Sequence, residues 1–421
     1  MIILVLLILL LVVAFVLYKV FHSPSKLPPE PAVPTINVFA LGCSGTGKTV
    51  LLASMFRSLA TPAQNRSFYF ETTLQNATYL NDTFERVADP RSPEWAASTL
   101  PSQFREFIFT CVGRRGDLKR ELMRVRYIDY SGELLEREVE QGRPQADRLD
   151  GELRDAHVLL VMIDGEQLVS LMRGEAEGQR YLDFTVHPMM QMASKAACPI
   201  HFVVTKWDLV REYGEPSEVG DDDRLYDVVV QLLSNHYFKS LVSYRSEEQT
   251  VRLIPVSAVG KGFAKLDAQH RVVKRPGGRI HPLYVEYPII AVLPDVFKYV
   301  EHQISSAVKR KIEKDVWSNA RSRAGDVFQR AVVVLQNNEF RSAIVNGLGI
   351  PMADPLLALF LAWFSNSDTK DEALAQKVME ADRRQSLSAA VRLAALEDLE
   401  RAVARLEGAL PSSVLAARPR T

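Results

Sequence analysis

Hydrophobic and polar positions divide this chain into four stretches. Met1 to Tyr18, MIILVLLILLLVVAFVLY, carries no charge, glycine or proline, and with Val20 and Phe21 the apolar run reaches the roughly 20 residues a helix needs to cross a hydrocarbon core. Residues 23–34, SPSKLPPEPAVP, hold five prolines and predict a semi-rigid extended spacer. From Thr35 to about Leu293, short strand-like runs alternate with helix-period stretches. From Pro294 onward helical spacing takes over.

The first stretch predicts an uncleaved anchor. Nothing basic precedes Ile2, and the run ends Phe15, Val16, Leu17, Tyr18, without the small residues of a signal cleavage site. Lys19, His22 and Lys26 follow the span, so the positive-inside rule places the rest of the chain on the cytoplasmic side of a single-pass membrane protein.

In the third stretch, Thr35–Leu41 reads as a central strand and Lys48–Leu59 as a helix with Leu51, Leu52, Met55, Phe56 and Leu59 on one face. Residues 104–112 and 122–128 alternate as strands, while 156–163, 199–204 and 250–256 are apolar enough for strands covered on both faces. Strands alternating with helices predict an α/β, doubly wound, mostly parallel sheet. Residues 61–101 and 211–249 read as insertions. In the second of these, Asp221, Asp222 and Asp223 stand at the start of a helix carrying Val228, Val229, Leu232 and Leu233. Residues 283–293, interrupted by Pro288, read as strand-like material for an edge hairpin.

The C-terminal stretch predicts a helix made basic by Lys309, Arg310, Lys311, Lys314, Arg321 and Arg323. An apolar run at 350–364 follows and reads as a buried helix. Leu396, Leu399, Val403, Leu406 and Leu410 then form a short heptad seam that packs on its own domain or pairs with another chain. The predicted organisation is a transmembrane anchor at 1–21, a linker at 22–34, an α/β domain at 35–293 and an α-helical region at 294–421.

Composition narrows the functional classes. With 47% hydrophobic and 24% charged residues the chain can build a sizeable core, which excludes wholesale disorder. Lys plus Arg and Asp plus Glu balance at 51 each, and no basic-aromatic patch stands out, so nucleic acid is not an expected partner. Cys43, Cys111 and Cys198 are scattered, which argues against a disulfide framework or a structural zinc site.

The chemistry begins where the first strand ends. Gly42, Cys43, Ser44, Gly45, Thr46, Gly47, Lys48 and Thr49 spell a complete GxxxxGK[ST] loop between strand and helix. Its glycines let successive backbone amides turn inward around a phosphate, and the helix N-terminus adds a favourable dipole. Lys48 would reach the β and γ phosphates, and the Thr49 hydroxyl would ligate Mg2+. Downstream, Asp129-Tyr-Ser-Gly132-Glu133 ends the strand at 122–128. Asp129 would hold the metal through water and the Gly132 amide would sense the γ-phosphate. Thr205-Lys206-Trp207-Asp208 ends the strand at 199–204: the Lys206 stem can cover a base face while the Asp208 carboxylate accepts two hydrogen bonds from the N1 and N2 edge of guanine. Adenine cannot supply that pair of donors, so GTP and GDP are the expected ligands. Ser257-Ala258 follows the last strand, where a backbone amide can meet the guanine O6.

In this order the motifs resemble the translation-factor-related class of P-loop GTPases, which includes Ras-like and Arf-like proteins, over about Thr35 to Phe263. The apolar segment ahead of them is similar in arrangement to the signal-recognition-particle receptor beta subunit, and the insertions resemble bacterial members of the class. The resemblance implies hydrolysis of GTP to GDP, a nucleotide-dependent switch, and an effector or activating protein as partner. It also implies a metal-binding switch threonine before the strand at 104–112. Thr72, Thr73, Thr83 and Thr99 are candidates, and Thr99 is preferred because it immediately precedes that strand, with Trp95 placed to pack the loop down. Glu133 stands where Ras-like proteins carry a water-orienting Gln. A carboxylate there cannot donate to the transition-state oxygens and adds negative charge, so slow hydrolysis is expected. No arginine finger is assigned; Arg114, Arg115 and Arg143 are loop candidates. The alternative is a non-hydrolysing, GTP-dependent scaffold whose C-terminal helices mediate interaction, including self-association through the seam.

Overall fold

A computed structural model describes residues 33–63, 65–92, 95, 105–129, 144–214, 219–267, 271–303, 356, 359, 360, 363 and 387–415, all within one compact unit, Val33–Thr421. Residues 1–32, the basic stretch at 309–323 and most of 350–364 lie outside the described residues, as do Thr99, Gly132, Glu133 and Arg143. Among the described residues no helix is long and apolar enough to cross a membrane.

The strands are β1 (Thr35–Leu41), β2 (Phe68–Thr72), β3 (Arg105–Arg115), β4 (Leu118–Asp129), β5 (Val158–Asp164), β6 (Ile200–Thr205), β7 (Val251–Pro255), β8 (Ala264–Leu266), β9 (Val272–Lys274) and β10 (Val414–Leu415). Eight of them make one sheet in the order β10-β7-β6-β5-β1-β4-β3-β2, and β8 and β9 form a separate ribbon. β4, β1, β5, β6 and β7 run parallel. β3 and β2 extend the sheet antiparallel on one side and β10 closes the other. Every residue of β5, β6 and β7 is buried, as expected of central strands covered on both faces. The α/β, doubly wound, mostly parallel sheet expected from the sequence is therefore present.

The connecting helices are α1 (Lys48–Leu59), α2 (Leu74–Ala88), α3 (Pro144–Asp155), α4 (Gly165–Met172), α5 (Ala176–Tyr181), α6 (His187–Ala193), α7 (Trp207–Arg211), α8 (Asp221–Ser234) and α9 (His236–Arg245). After β9 come α10 (Tyr287–Ile290), α11 (Val292–Gln303) and α12 (Leu387–Ala409). The 61–101 insertion supplies β2 and α2, and the Asp221–Asp223 triplet forms the first turn of α8.

The edge strand expected at 283–293 is not one. Pro288 lies in the first turn of α10, where its missing N–H costs nothing, and the run continues into α11. The hairpin forms earlier, as β8–β9, from a stretch whose sequence pattern is too short to register as strands.

The heptad seam is spent inside the chain. Leu396, Leu399, Val403, Leu406 and Leu410 are all buried in the main core. α12 is fastened at both ends. Toward its start, Ser67 Oγ donates to Ala394 O at 3.0 Å and the Ser67 amide donates to Asp398 Oδ2 at 2.6 Å. Near its end, Glu407 Oε1 accepts from Arg252 of β7 at 2.8 Å, and β10 then pairs with β7. The Arg252 and Ser67 contacts lie at the starts of β7 and β2, so this helix sits away from the strand ends that carry the nucleotide motifs.

Candidate functional site

Parallel strands bring their C-terminal ends to one edge of a sheet, and ligands bind in the crevice beyond that edge. β1 delivers the phosphate loop there, β4 delivers Asp129, β5 Asp164 and β6 Thr205, while Ser257 follows β7. The register holds them level: Ala40 is opposite Asp129 and Asp164 is opposite Thr205. One cavity of about 410 Å³ is lined by Ser44, Gly45, Gly47, Lys48, Thr49, Asp129, Thr205, Lys206, Asp208 and Ala258. Residues separated by some two hundred positions thus bound a single volume of ligand size.

The phosphate loop is already shaped to receive an anion. Gly45 and Gly47 adopt φ of 79° and 83°, a left-handed backbone that side-chain-bearing residues resist. Thr46 is buried and its hydroxyl donates to Cys43 O at 2.9 Å. Lys48 is buried, and its Nζ donates to Gly42 O at 2.6 Å and Cys43 O at 2.8 Å, so the loop's own carbonyls hold the ammonium beneath the amides.

Asp129 is 3% exposed, and its Oδ1 has no hydrogen-bond partner among the described residues. Burial pushes its pKa up, with Lys48 and Arg105 pulling the other way. A divalent cation would satisfy a buried carboxylate oxygen that has no donor, so Asp129 fits Mg2+, and Thr49 lines the same cavity. Among the described residues no group of three or more His, Cys, Asp or Glu could hold a metal.

At the other end of the cavity Asp208 is 3% exposed. Its Oδ1 accepts from Ser257 Oγ at 2.5 Å, and that hydroxyl accepts from the Gly260 amide at 2.7 Å. Burial raises the Asp208 pKa to about 6, the Ser257 hydrogen bond opposing it. Trp207 is fully buried and its amide donates to Val256 O at 3.0 Å, which locks this loop to the one after β7. Ala258 O accepts from Ser54 Oγ at 3.0 Å, tying that loop to α1.

Lys206 adopts φ 50°, and its Nζ donates to Asp164 Oδ2 at 2.9 Å and Glu166 Oε2 at 2.7 Å. Burial alone would lower its pKa, but the two carboxylates outweigh it and hold the ammonium above its ordinary value. Asp164 Oδ1 also accepts from the Glu166 amide, capping α4 and fixing the pair. Glu166 is a residue that the motif patterns do not mark. Gly165 between them is required by packing: a Cβ there would meet Thr205 O at 2.2 Å.

Other expected residues are placed elsewhere. Arg114 and Arg115 sit at the tip of the β3–β4 hairpin, opposite Lys119 and Leu118, at the end of β4 remote from Asp129. That is about 30 Å from the phosphate loop at the usual rise per residue, so neither reaches the site as a finger. Thr72 donates to Ile108 O at 2.6 Å, Thr73 caps α2 and Thr83 is buried on α2, so each has a structural place away from the cavity lining.

Two of the solved structures to which this chain is similar are remote. One is sup35 complexed with GDP, at 13% sequence identity and a TM-score of 0.29, with 57% of this chain and 41% of that one covered. This chain thus spans less than half the length of that structure. The other is Methanosarcina barkeri Roco2 RocCORdC bound to GDP, at 12% identity and a TM-score of 0.26, with 91% and 94% covered. Similarity this weak identifies no function. No curated protein matches. A family model decides the matter: residues 37–256, just over half of the chain, match Double-GTPase 2, and a match running from the first strand of the sheet to the last residue before Ser257 makes this chain a member of that family.

Proposed function

We propose that this chain binds GTP and GDP with Mg2+, hydrolyses GTP slowly, and works as a nucleotide-dependent switch for a protein partner. Met1–Phe21 tethers it to a membrane, with the folded part on the cytoplasmic side. The observation that carries the reading is Asp208: a buried carboxylate facing the same cavity as the phosphate loop, one oxygen held by Ser257. Guanine offers N1 and N2 donors to such an acceptor, and adenine would leave it without them at a cost of several kcal/mol. Lys48 and the loop amides hold the phosphates, Thr49 and Asp129 hold the metal, the Lys206 stem covers the base and Ala258 presents its amide to O6. The metal, when bound, neutralises charge developing on the phosphates. Glu133 in place of the water-orienting Gln, and the remote position of Arg114 and Arg115, support slow intrinsic turnover that a partner accelerates.

Magnesium-dependent binding of GTP, GDP and ATP to the chain and to Asp208→Ala tests this. Binding of both guanine nucleotides but not ATP, with the preference lost in the variant, supports the reading; equal binding of ATP, or none of any, rejects it.

A second reading has one observation in its favour. Glu407 and β10 tie the C-terminal helix to β7 of the nucleotide-binding sheet. On this reading nucleotide stabilises a scaffold and is not turned over. Single-turnover hydrolysis with and without cell extract separates the two, since GDP formation supports the switch and its absence in both supports the scaffold.

A further inference from the structure

The cavity has a wall that the nucleotide motifs do not supply. Trp95, Val259, Ala264 and Val272 line it alongside Asp208 and Lys206. They belong to a small hydrophobic cluster, separate from the main core, of Val87, Val259, Phe263 and Ala264, with Val50, Trp95, Val272 and Ile280 packed against it. Three distant segments are sewn together to make it. β8 and β9 pair from Ala264 opposite Lys274 to Leu266 opposite Val272. Trp95 packs edge-on against Phe263, with ring centroids 6.2 Å apart at 73°, and its Nε1 donates to Val272 O at 3.1 Å. Lys274 Nζ donates to Arg86 O at 3.1 Å and Asp89 O at 3.0 Å, at the end of α2.

We propose that Trp95 and the β8–β9 ribbon form a clasp over the guanine end of the cavity and set how slowly nucleotide leaves. The inference rests on the guanine-nucleotide reading above and adds to it the residues that retain the base. A purine has two faces and a polar edge. Asp208 takes the edge and the Lys206 stem takes one face; an uncovered second face would stay hydrated. Apolar groups gathered against the same cavity, held by hydrogen bonds through backbone carbonyls of both the ribbon and α2, are the cover that face requires. Aromatic contact with a base is sequence-tolerant, so the clasp governs residence time while Asp208 governs the choice of guanine.

The test is release of fluorescent N-methylanthraniloyl-GDP from the full 421-residue chain, chased with unlabelled GDP in Mg2+. Trp95→Ala should release nucleotide roughly ten- to a hundredfold faster, Trp95→Phe should stay near the unmodified chain, and the preference for GDP over ADP should persist in both. GDP should also change tryptophan emission in the unmodified chain, and by clearly less in Trp95→Phe, where Trp207 beside Asp208 still reports binding. Release from Trp95→Ala within twofold of the unmodified chain, or the same emission change without Trp95, overturns the clasp while leaving the site intact. Should Trp95→Ala melt early without nucleotide, Trp95→Leu keeps the apolar contact with Phe263 and is expected to show the same acceleration; unchanged release there also overturns the clasp. Failure of the unmodified chain to bind GDP at all rejects the nucleotide reading instead.

Discussion

Ser257 donates its hydroxyl to Asp208 Oδ1 at 2.5 Å across two loops that follow different strands. The carboxylate nonetheless has its pKa raised to about 6, because burial penalises its charge more than one hydrogen bond relieves it. The ordinary value is 3.8, so in the nucleotide-free chain this group favours the folded state below about pH 4. That contribution is lost as pH rises through about 6. At pH 7 the charged carboxylate costs about 3 kcal/mol, an order-of-magnitude figure. Asp208→Asn should therefore raise the melting temperature without nucleotide while weakening discrimination of guanine from adenine. Thermal melts with and without GDP check both, and a variant that melts lower without nucleotide refutes the argument.

The same residue predicts a pH dependence of binding. Guanine needs the deprotonated acceptor, so GDP affinity should be flat above about pH 6.5 and fall below 6, approaching tenfold per pH unit. Ser257→Ala removes the opposing hydrogen bond and should move that fall to higher pH. Calorimetric titration with GDP between pH 5 and 8 reads it directly.

Gly165 sits where α4 starts against the loop after β6. A methyl group there would meet Thr205 O at 2.2 Å and Lys206 O at 3.0 Å, both backbone atoms that can yield only by shifting the loop that carries Asp208. Gly165→Ala should weaken GDP binding at least tenfold, more than an ordinary surface substitution would. Equal affinity for GDP in the variant and the unmodified chain would show that the loop can move without disturbing the site.

Much of this arrangement is legible from sequence because period and motif carry it. The apolar runs at 156–163 and 199–204 announce central strands, and Gly42–Thr49, Asp129 and Thr205–Asp208 announce their loops. What escapes is whatever depends on contacts between distant segments. Glu166 has no motif, and its partner Lys206 lies forty residues on. The β8–β9 ribbon is built from strands of three residues, below the length at which alternation can be read. As a pattern Pro288 interrupts a strand, whereas in a first helical turn it is a helix starter. The seam at 396–410 is equally compatible, as a pattern, with another chain; the partners Ser67 and Arg252 that direct it inward lie far upstream.

Arg252 supplies the last prediction. Its Nε and one terminal nitrogen donate to Asp295 at 2.5 and 2.7 Å, and that same terminal nitrogen also reaches Glu407 at 2.8 Å, while His201 Nε2 lies 2.8 Å from Asp295 Oδ2. Arg252, Asp295 and His201 are fully buried. Burial would raise the Asp295 pKa, but the Arg252 guanidinium outweighs it and holds the carboxyl well below the usual range. A depressed carboxyl contributes stability that is present above its ordinary value of 3.8 and lost as pH falls through the folded one. Arg252→Met leaves the buried Asp295 charge with only His201 beside it and should cost about 3–5 kcal/mol at pH 7, read as a lower urea midpoint. Asp295→Leu combined with Arg252→Met removes both charges and should recover most of that loss while flattening the acid side of the stability profile. Glu407→Gln, at a residue a third exposed, should cost only about 1 kcal/mol. If Arg252→Met unfolds at the same urea concentration as the unmodified chain, the buried cluster is not what fastens α11 and α12 to the sheet.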